Sequence, residues 1–271
     1  MYFMMLIVCS LADLASKNIF ELYTQNFRFV EKNGVWKYRN FVLVLIKEDL
    51  VNAKFIEKEF PEADLVIFAS KHSSERKVPC LTVHSDGNWG KATLGGKDYT
   101  ISYAPALYMK KALIKLHEFK NENNLDRYQV TLEVTHHGPN LNKPSLWIEV
   151  GSSEKEWNDL KACEAVCEAI LSLEDVKSRN EKVIVGFGGS HYAPGFTKLV
   201  LSKGYAVGHI IPKYSLDIVP DRLIEEAYLK TVPNPDFGVI DWKGTRKSQR
   251  GRILKIFDKN GWEVRKLKDL E

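Results

Sequence analysis

Nine short apolar runs punctuate the chain: Met4–Cys9, Phe41–Ile46, Leu65–Ala69, Cys80–His84, Tyr128–Val134, Leu146–Val150, Val183–Phe187, Tyr205–Ile211 and Phe237–Trp242. Several are continuous rather than alternating, the pattern of strands covered on both faces. Between them, helical periodicity falls over Ala12–Tyr23, Ala104–Phe119, Lys155–Leu173, Phe196–Ser202, Arg222–Leu229 and Ser248–Phe257. This alternation predicts an α/β fold, a layered α/β/α sandwich on a mixed, mainly parallel sheet. One compact domain over residues 1–271, or two intimately packed lobes, would accommodate it. The breaks are Ser85 to Thr100, read as a long loop or hairpin, Asn121 to Asp126, and Val232-Pro233-Asn234-Pro235. On the helix from Lys155, the residues Trp157, Leu160, Cys163, Cys167 and Ile170 share one stripe, so the two cysteines read as buried structural thiols.

The strands end on unusual residues. Val130 to Val134 runs into Thr135-His136-His137-Gly138-Pro139, and Val183 to Val185 into Gly186-Phe187-Gly188-Gly189-Ser190-His191-Tyr192. Open α/β folds bind ligands at such strand ends, and imidazole serves both metal ligation and proton transfer near neutral pH. Adjacent residues on a strand face opposite ways, so His136 and His137 reach one site only if the strand has already ended. Glu133 reads as a metal ligand, a general base or a partner fixing an imidazole tautomer. The alternative is two surface histidines in a turn beside an edge glutamate. The Gly188 and Gly189 amides are candidates for holding an oxyanion or another substrate oxygen. His72, His84 and His209 also follow or sit in strand candidates, and His209 fits a satisfied core position equally well. His117, mid-helix beside Lys115 and Glu118, reads as a surface residue.

Composition narrows the setting. The chain has 271 residues, 44% hydrophobic and 27% charged, as in ordinary globular proteins. No apolar run is long enough to span a bilayer, so no membrane association is expected. The apolar N-terminus reads as a first core strand, not a signal peptide. Four cysteines without framework spacing suggest reduced thiols and a cytoplasmic location. Net charge is only +4, but Lys243 to Arg252 contains five basic residues and no acid. That segment suits phosphate, with Trp242 beside Lys243, Arg246 and Lys247 fitting a single-stranded nucleic-acid end. A solvated helix face, with the tryptophan anchoring the last strand, is the plainer reading.

Together, Val134-Thr135-His136-His137-Gly138-Pro139, Gly186-Phe187-Gly188-Gly189-Ser190-His191-Tyr192-Ala193-Pro194, Gly208-His209-Ile210-Ile211-Pro212-Lys213-Tyr214 and Phe237-Gly238-Val239-Ile240-Asp241-Trp242-Lys243-Gly244 resemble segments of the archaeal and plant type D-aminoacyl-tRNA deacylases. The match runs in order from Met4 to the C-terminus. The resemblance implies a fold similar to the phosphorylase/peptidyl-tRNA hydrolase class and dependence on zinc. It also implies hydrolysis of the ester joining a D-amino acid to the tRNA 3′ ribose, with L-aminoacyl-tRNA spared. On that basis Glu133, His136, His137 and His191 are the expected catalytic residues. His136, His137 and His191, joined by His72 and His84, are the candidate metal ligands. Gly188, Gly189, Ser190, Tyr192, Lys213, Trp242, Lys243, Arg246 and Lys247 are expected to bind the aminoacylated tRNA end or the D-amino acid. A monomer is expected. The rival readings are another hydrolase on the same scaffold, such as a peptidyl-tRNA hydrolase or a metal-dependent small-molecule amidohydrolase, and a non-enzymatic RNA-binding module.

Overall fold

The computed structural model describes residues 3–176 and 181–271. In chain order its strands are β1 (Met5–Ser10), β2 (Val30–Lys32), β3 (Val35–Tyr38), β4 (Phe41–Ile46), β5 (Leu65–Ser73), β6 (Cys80–His84), β7 (Gly87–Asn88), β8 (Thr100–Ile101), β9 (Ala104–Pro105), β10 (Gln129–Leu132), β11 (Ser145–Ser152), β12 (Val183–Phe187), β13 (Ala206–Ile211), β14 (Thr231–Val232), β15 (Phe237–Ile240) and β16 (Val264–Lys266). The helices are α1 (Leu14–Asn26), α2 (Ile56–Glu59), α3 (Ala106–Glu122), α4 (Glu154–Trp157), α5 (Leu160–Leu171), α6 (Pro194–Lys203), α7 (Asp221–Leu229) and α8 (Lys247–Lys259).

The α/β alternation and mainly parallel pairing are as expected, but the strands divide between two principal sheets. The larger has eight strands in the order β10-β6-β11-β5-β1-β4-β3-β2, with β11, β5, β1 and β4 parallel and β6 antiparallel to β11. The smaller, β13-β12-β15-β16, is parallel throughout. Helices α1, α3 and α5 bury one face of the large sheet, and α3 also packs on the small sheet. The small sheet's other face is covered by α7 and α8. Every residue of β1 and β13 is buried, which is why these runs show no alternation.

The remaining face of the large sheet is the one that matters for function. There Phe68 and Trp147 stack with ring centroids 4.5 Å apart, and among the described residues cover comes from Leu141, Ala63 and the segment around Leu50–Glu59, which includes the single turn α2. A sheet face covered by no long helix leaves room for a cleft.

Three expectations need correction. The helix over Lys155–Leu173 is broken, because the Asp159 carboxylate caps a new start by accepting from the amides of Lys161 and Ala162 at 3.1 and 3.3 Å. Leu160 therefore lies 56% exposed, off the stripe that buries Cys163 and Cys167. The strand over Tyr128–Val134 stops at Leu132. Strands β2, β3 and β16 escaped the pattern because they are three or four residues long and exposed or only half-buried. The segment from Ser85 does form a hairpin, β7 against β8. All four cysteines are free and buried, and among the described residues no helix is long and apolar enough to cross a membrane.

Candidate active site

Strand register assembles the first half of the site. Ser70 on β5 lies beside Glu149 on β11, which lies opposite Thr82 on β6; His72 aligns with Gly151, and His84 with Trp147. Because side chains alternate, His72, Glu149 and His84 project together from this thinly covered face. A Cβ at Gly151 would stand 2.6 Å from that of His72, so glycine is what lets the His72 ring lie across β11. His72 Nδ1 is 3.0 Å from Glu133 Oε1 and 3.4 Å from Glu149 Oε2, and His84 Nε2 is 3.6 Å from Glu149 Oε2. His72 Nε2 meets the Tyr192 hydroxyl at 2.8 Å.

Loops supply the second half. Past Leu132 the chain is zipped to the loop after β12: the Val134 amide donates to His191 O at 3.0 Å, and the Ala193 amide to Leu132 O at 3.0 Å. This contact joins the two sheets and delivers His191. Glu133 Oε2 then lies 3.5 Å from His136 Nε2 and 3.4 Å from His191 Nε2. His137 takes a left-handed backbone, φ 44°, so it departs from strand alternation and its ring packs on Trp147 at 4.5 Å. Gly138 donates its amide to Leu94 O at 2.9 Å. A Cβ on Gly138 would approach Gly96 N to 2.2 Å and Val51 O to 2.7 Å.

Hydrogen bonds to carbonyls fix the tautomers. His84, His136 and His137 each donate from Nδ1 to a main-chain carbonyl, of Ser85 (3.1 Å), Val134 (2.8 Å) and Gly138 (2.8 Å) respectively. When these rings are neutral, each carries its lone pair on Nε2. Burial disfavours charge on all of them. At His136 and His137 burial prevails, helped by repulsion from His84 and other imidazoles; His136 is held well below the usual range and His137 at about 4. At His72 burial is outweighed by the Cys80 thiol and the Glu149 and Glu133 carboxylates, and at His84 chiefly by Glu149, so both are raised. Burial likewise works against Glu149 ionising, but the adjacent His72 and His84 imidazoles hold it well below the carboxylate range.

Three donor sets each converge within 4.8 Å: His84, His136 and His137; Glu133, His136 and His191; and His72, Glu133 and Glu149. Both carboxylate oxygens of Glu133 and the Nε2 of His84 are buried without a hydrogen-bond partner. Unpaired buried polar groups of this kind are costly, and a cation among them would relieve that cost. These residues fit a metal ion.

The other expected residues lie in two settings. Lys213, Lys243 and Arg246, with Gly189 and Ser190, line an open cleft of about 590 Å³. The Gly188 and Gly189 amides, however, already donate to Ile211 O (2.8 Å) and Gly244 O (3.0 Å), which corrects their assignment to an oxyanion or substrate oxygen. Ser190 Oγ is bonded to Tyr192 O at 2.7 Å. Trp242 lies under the Arg250 guanidinium and the Lys266 ammonium at 4.7 and 4.6 Å. The basic segment is partly compensated in space: Arg246 pairs with Asp217 at 2.7 Å and Arg252 with Asp221, leaving Lys243 and Lys247 exposed. His209 is fully buried between Thr135 Oγ1 and Ser102 O, both at 3.0 Å, so it supports the loop before His136. His117 is half-buried on α3, with its neighbour Glu118 exposed. Sequence reasoning missed Glu149, Trp147 and Tyr214. Glu149 had a readable signal, as the one acid within the run Leu146–Val150.

A buried imidazole–carboxylate cluster at the strand ends of an α/β fold is the equipment of a hydrolase. Residues 59–265 match the D-aminoacyl-tRNA deacylase family profile. The chain is 37% identical to the D-aminoacyl-tRNA deacylase of Pyrococcus furiosus, across 96% of this chain and 98% of that one. It is 40% identical to that of Methanosarcina acetivorans, across 96% and 91%. A solved structure of a conserved protein of unknown function superposes with a TM-score of 0.90 at 31% identity, covering 99% of this chain and 96% of that one. The chain belongs to the D-aminoacyl-tRNA deacylase family, and its activity is that of a deacylase on D-aminoacyl-tRNA.

Proposed function

We propose that the ester is cut at the Glu133 centre, with zinc as the cofactor, releasing free D-amino acid and tRNA while sparing L-aminoacyl-tRNA. The observation that carries this reading is the Glu133 carboxylate, fully buried and unbonded yet within 3.5 Å of three imidazoles. A group so placed is poised to take a proton from the attacking water. His136, His137 and His191 lie nearest the scissile carbonyl, the first two kept neutral by burial. Zinc would be held within one of the three donor sets, by imidazoles drawn from His136, His137, His191, His72 and His84 with or without Glu133 or Glu149, a mixture that suits this ion. When bound, it supplies a Lewis acid and lowers the pKa of water to about 7.

The two enantiomers carry the same hydrogen-bonding groups, so rejection of one must come from a wall. The cavity of about 390 Å³ beside the centre provides one, lined by Leu50, Val51, Leu94 and Trp147 together with the histidines. The basic segment, through Lys243, Arg246 and Lys247, supplies charge for tRNA phosphates. Buried free cysteines suit a cytoplasmic location, and a monomer suffices because one chain contributes every group named.

Release of amino acid from D- and L-tyrosyl-tRNA, with and without a chelator and with metal content measured in parallel, tests the reading. D-specific release that is lost with the zinc and restored by adding it back is the expected result. Release that survives complete removal of metal would overturn the zinc assignment. Equal release of both enantiomers would overturn the steric wall.

A further inference from the structure

Three cavities adjoin one another around the site. The one containing Leu50 and Val51 shares Leu94, His136 and His137 with a second, of about 340 Å³. That second cavity shares Tyr214 with the open basic cleft. Tyr214 is 58% exposed, and its hydroxyl is 3.4 Å from His191 Nδ1. Ile218, which lines the second cavity, is 62% exposed. In order, the chemistry runs from two lysines and an arginine beside Asp241, to an exposed aromatic face, to imidazoles and carboxylate, to a mixed apolar pocket.

A tRNA 3′ end carries its groups in the same order: phosphate, adenosine, ester, amino acid. We infer that the three cavities form one track for the aminoacylated terminal nucleotide. Its phosphate lies on Lys213, Lys243 and Arg246, its adenine stacks on Tyr214 flanked by Ile218, and its aminoacyl group enters the pocket beyond Leu94. The inference rests on the reading that the ester is cut at Glu133. Stacking on an aromatic ring is worth roughly 1–3 kcal/mol per base, enough for a tenfold effect. Lysine near a phosphate adds attraction independent of the base. Tyr214 is thus a positioning residue whose ring, rather than its hydroxyl, carries the affinity.

The test uses adenosine and adenosine 5′-monophosphate as competitive inhibitors of D-tyrosyl-tRNA deacylation by the intact protein. The nucleotide is expected to inhibit the wild type more strongly than the nucleoside. Tyr214→Ala should raise both inhibition constants, and the KM for D-tyrosyl-tRNA, by about tenfold, while Tyr214→Phe restores all three. The double variant Lys213→Ala, Lys243→Ala should raise only the constant for the nucleotide, bringing it to that of the nucleoside. Absence of inhibition of the wild type by the nucleotide, or Tyr214→Ala values equal to wild type, would overturn the track. Glu133→Gln separates the two readings: full activity in that variant removes the catalytic centre itself, whereas a dead Glu133→Gln beside an unaffected Tyr214→Ala removes only the track.

Discussion

The Glu133 centre and the basic segment from Lys243 to Arg252 are opposites. In the centre, ionisable groups are buried and several stay unbonded, including both Glu133 oxygens and His84 Nε2. In the basic segment the charges are mostly exposed, and two arginines have found carboxylates, Arg246 with Asp217 and Arg252 with Asp221. A run of like charge along the chain is thus partly quenched by folding, while scattered imidazoles are concentrated by it. Unpaired groups cost little in water and a great deal inside, so the centre, not the basic segment, carries the mark of chemistry retained at the expense of stability.

The largest test of this contrast is Glu133→Gln. Losing the carboxylate should lower the single-turnover rate by about 10²–10⁴-fold while the protein stays folded. A fall in melting temperature with activity kept would make Glu133 a structural residue.

His209 offers a second test, as an imidazole buried like those of the centre but fully hydrogen-bonded. Burial lowers its pKa to about 3. The unfolded chain, near 6.5, binds the extra proton throughout the window from about 6.5 down to 3. Stability is therefore fully present above that window and falls through it at about 1.4 kcal/mol per pH unit from this residue. His209→Gln should flatten the acid side of the stability profile measured by urea unfolding. An unchanged acid slope would mean that His209 is not held neutral.

The smallest effect concerns the basic segment. Asp217→Asn should release Arg246, tighten tRNA binding and steepen its salt dependence by about one unit of slope, whereas Lys243→Ala should flatten it by about one. Opposite signs in the two variants are the expected outcome. No change in either would place the tRNA elsewhere.

Most strands and helices were legible because long apolar runs and their Gly or Pro breaks are local signals. The division into two sheets was not, since nothing in Val183–Phe187 announces that it pairs with β13 and β15 rather than joining β5. The helix break at Asp159 was written in the chain as a capping aspartate after Asn158, and the apolar stripe obscured it. At the centre, His136, His137 and His191 were visible as imidazoles at strand ends; the structure brings His136 and His191 beside Glu133 and sets His137 against His84 and His136. Glu149 was hidden because a core strand ordinarily excludes acids, and only the register against His72 and His84 gives it partners. The pairing of Arg246 with Asp217 joins residues 29 apart in the chain, beyond the reach of any local pattern.

Gly138, wedged against Gly95, Gly96 and Val51, sets a dimension of the molecule. Three separate lengths of chain touch there with no room for a methyl group, and the Gly138 amide tethers the loop that carries Leu94. The pocket mouth therefore behaves as a fixed gauge instead of an adjustable jaw. None of the three loops can widen it alone. Shifts in amino-acid preference among related chains are then expected to come from the size of side chains such as Leu94 and Val51, set within an unchanging frame.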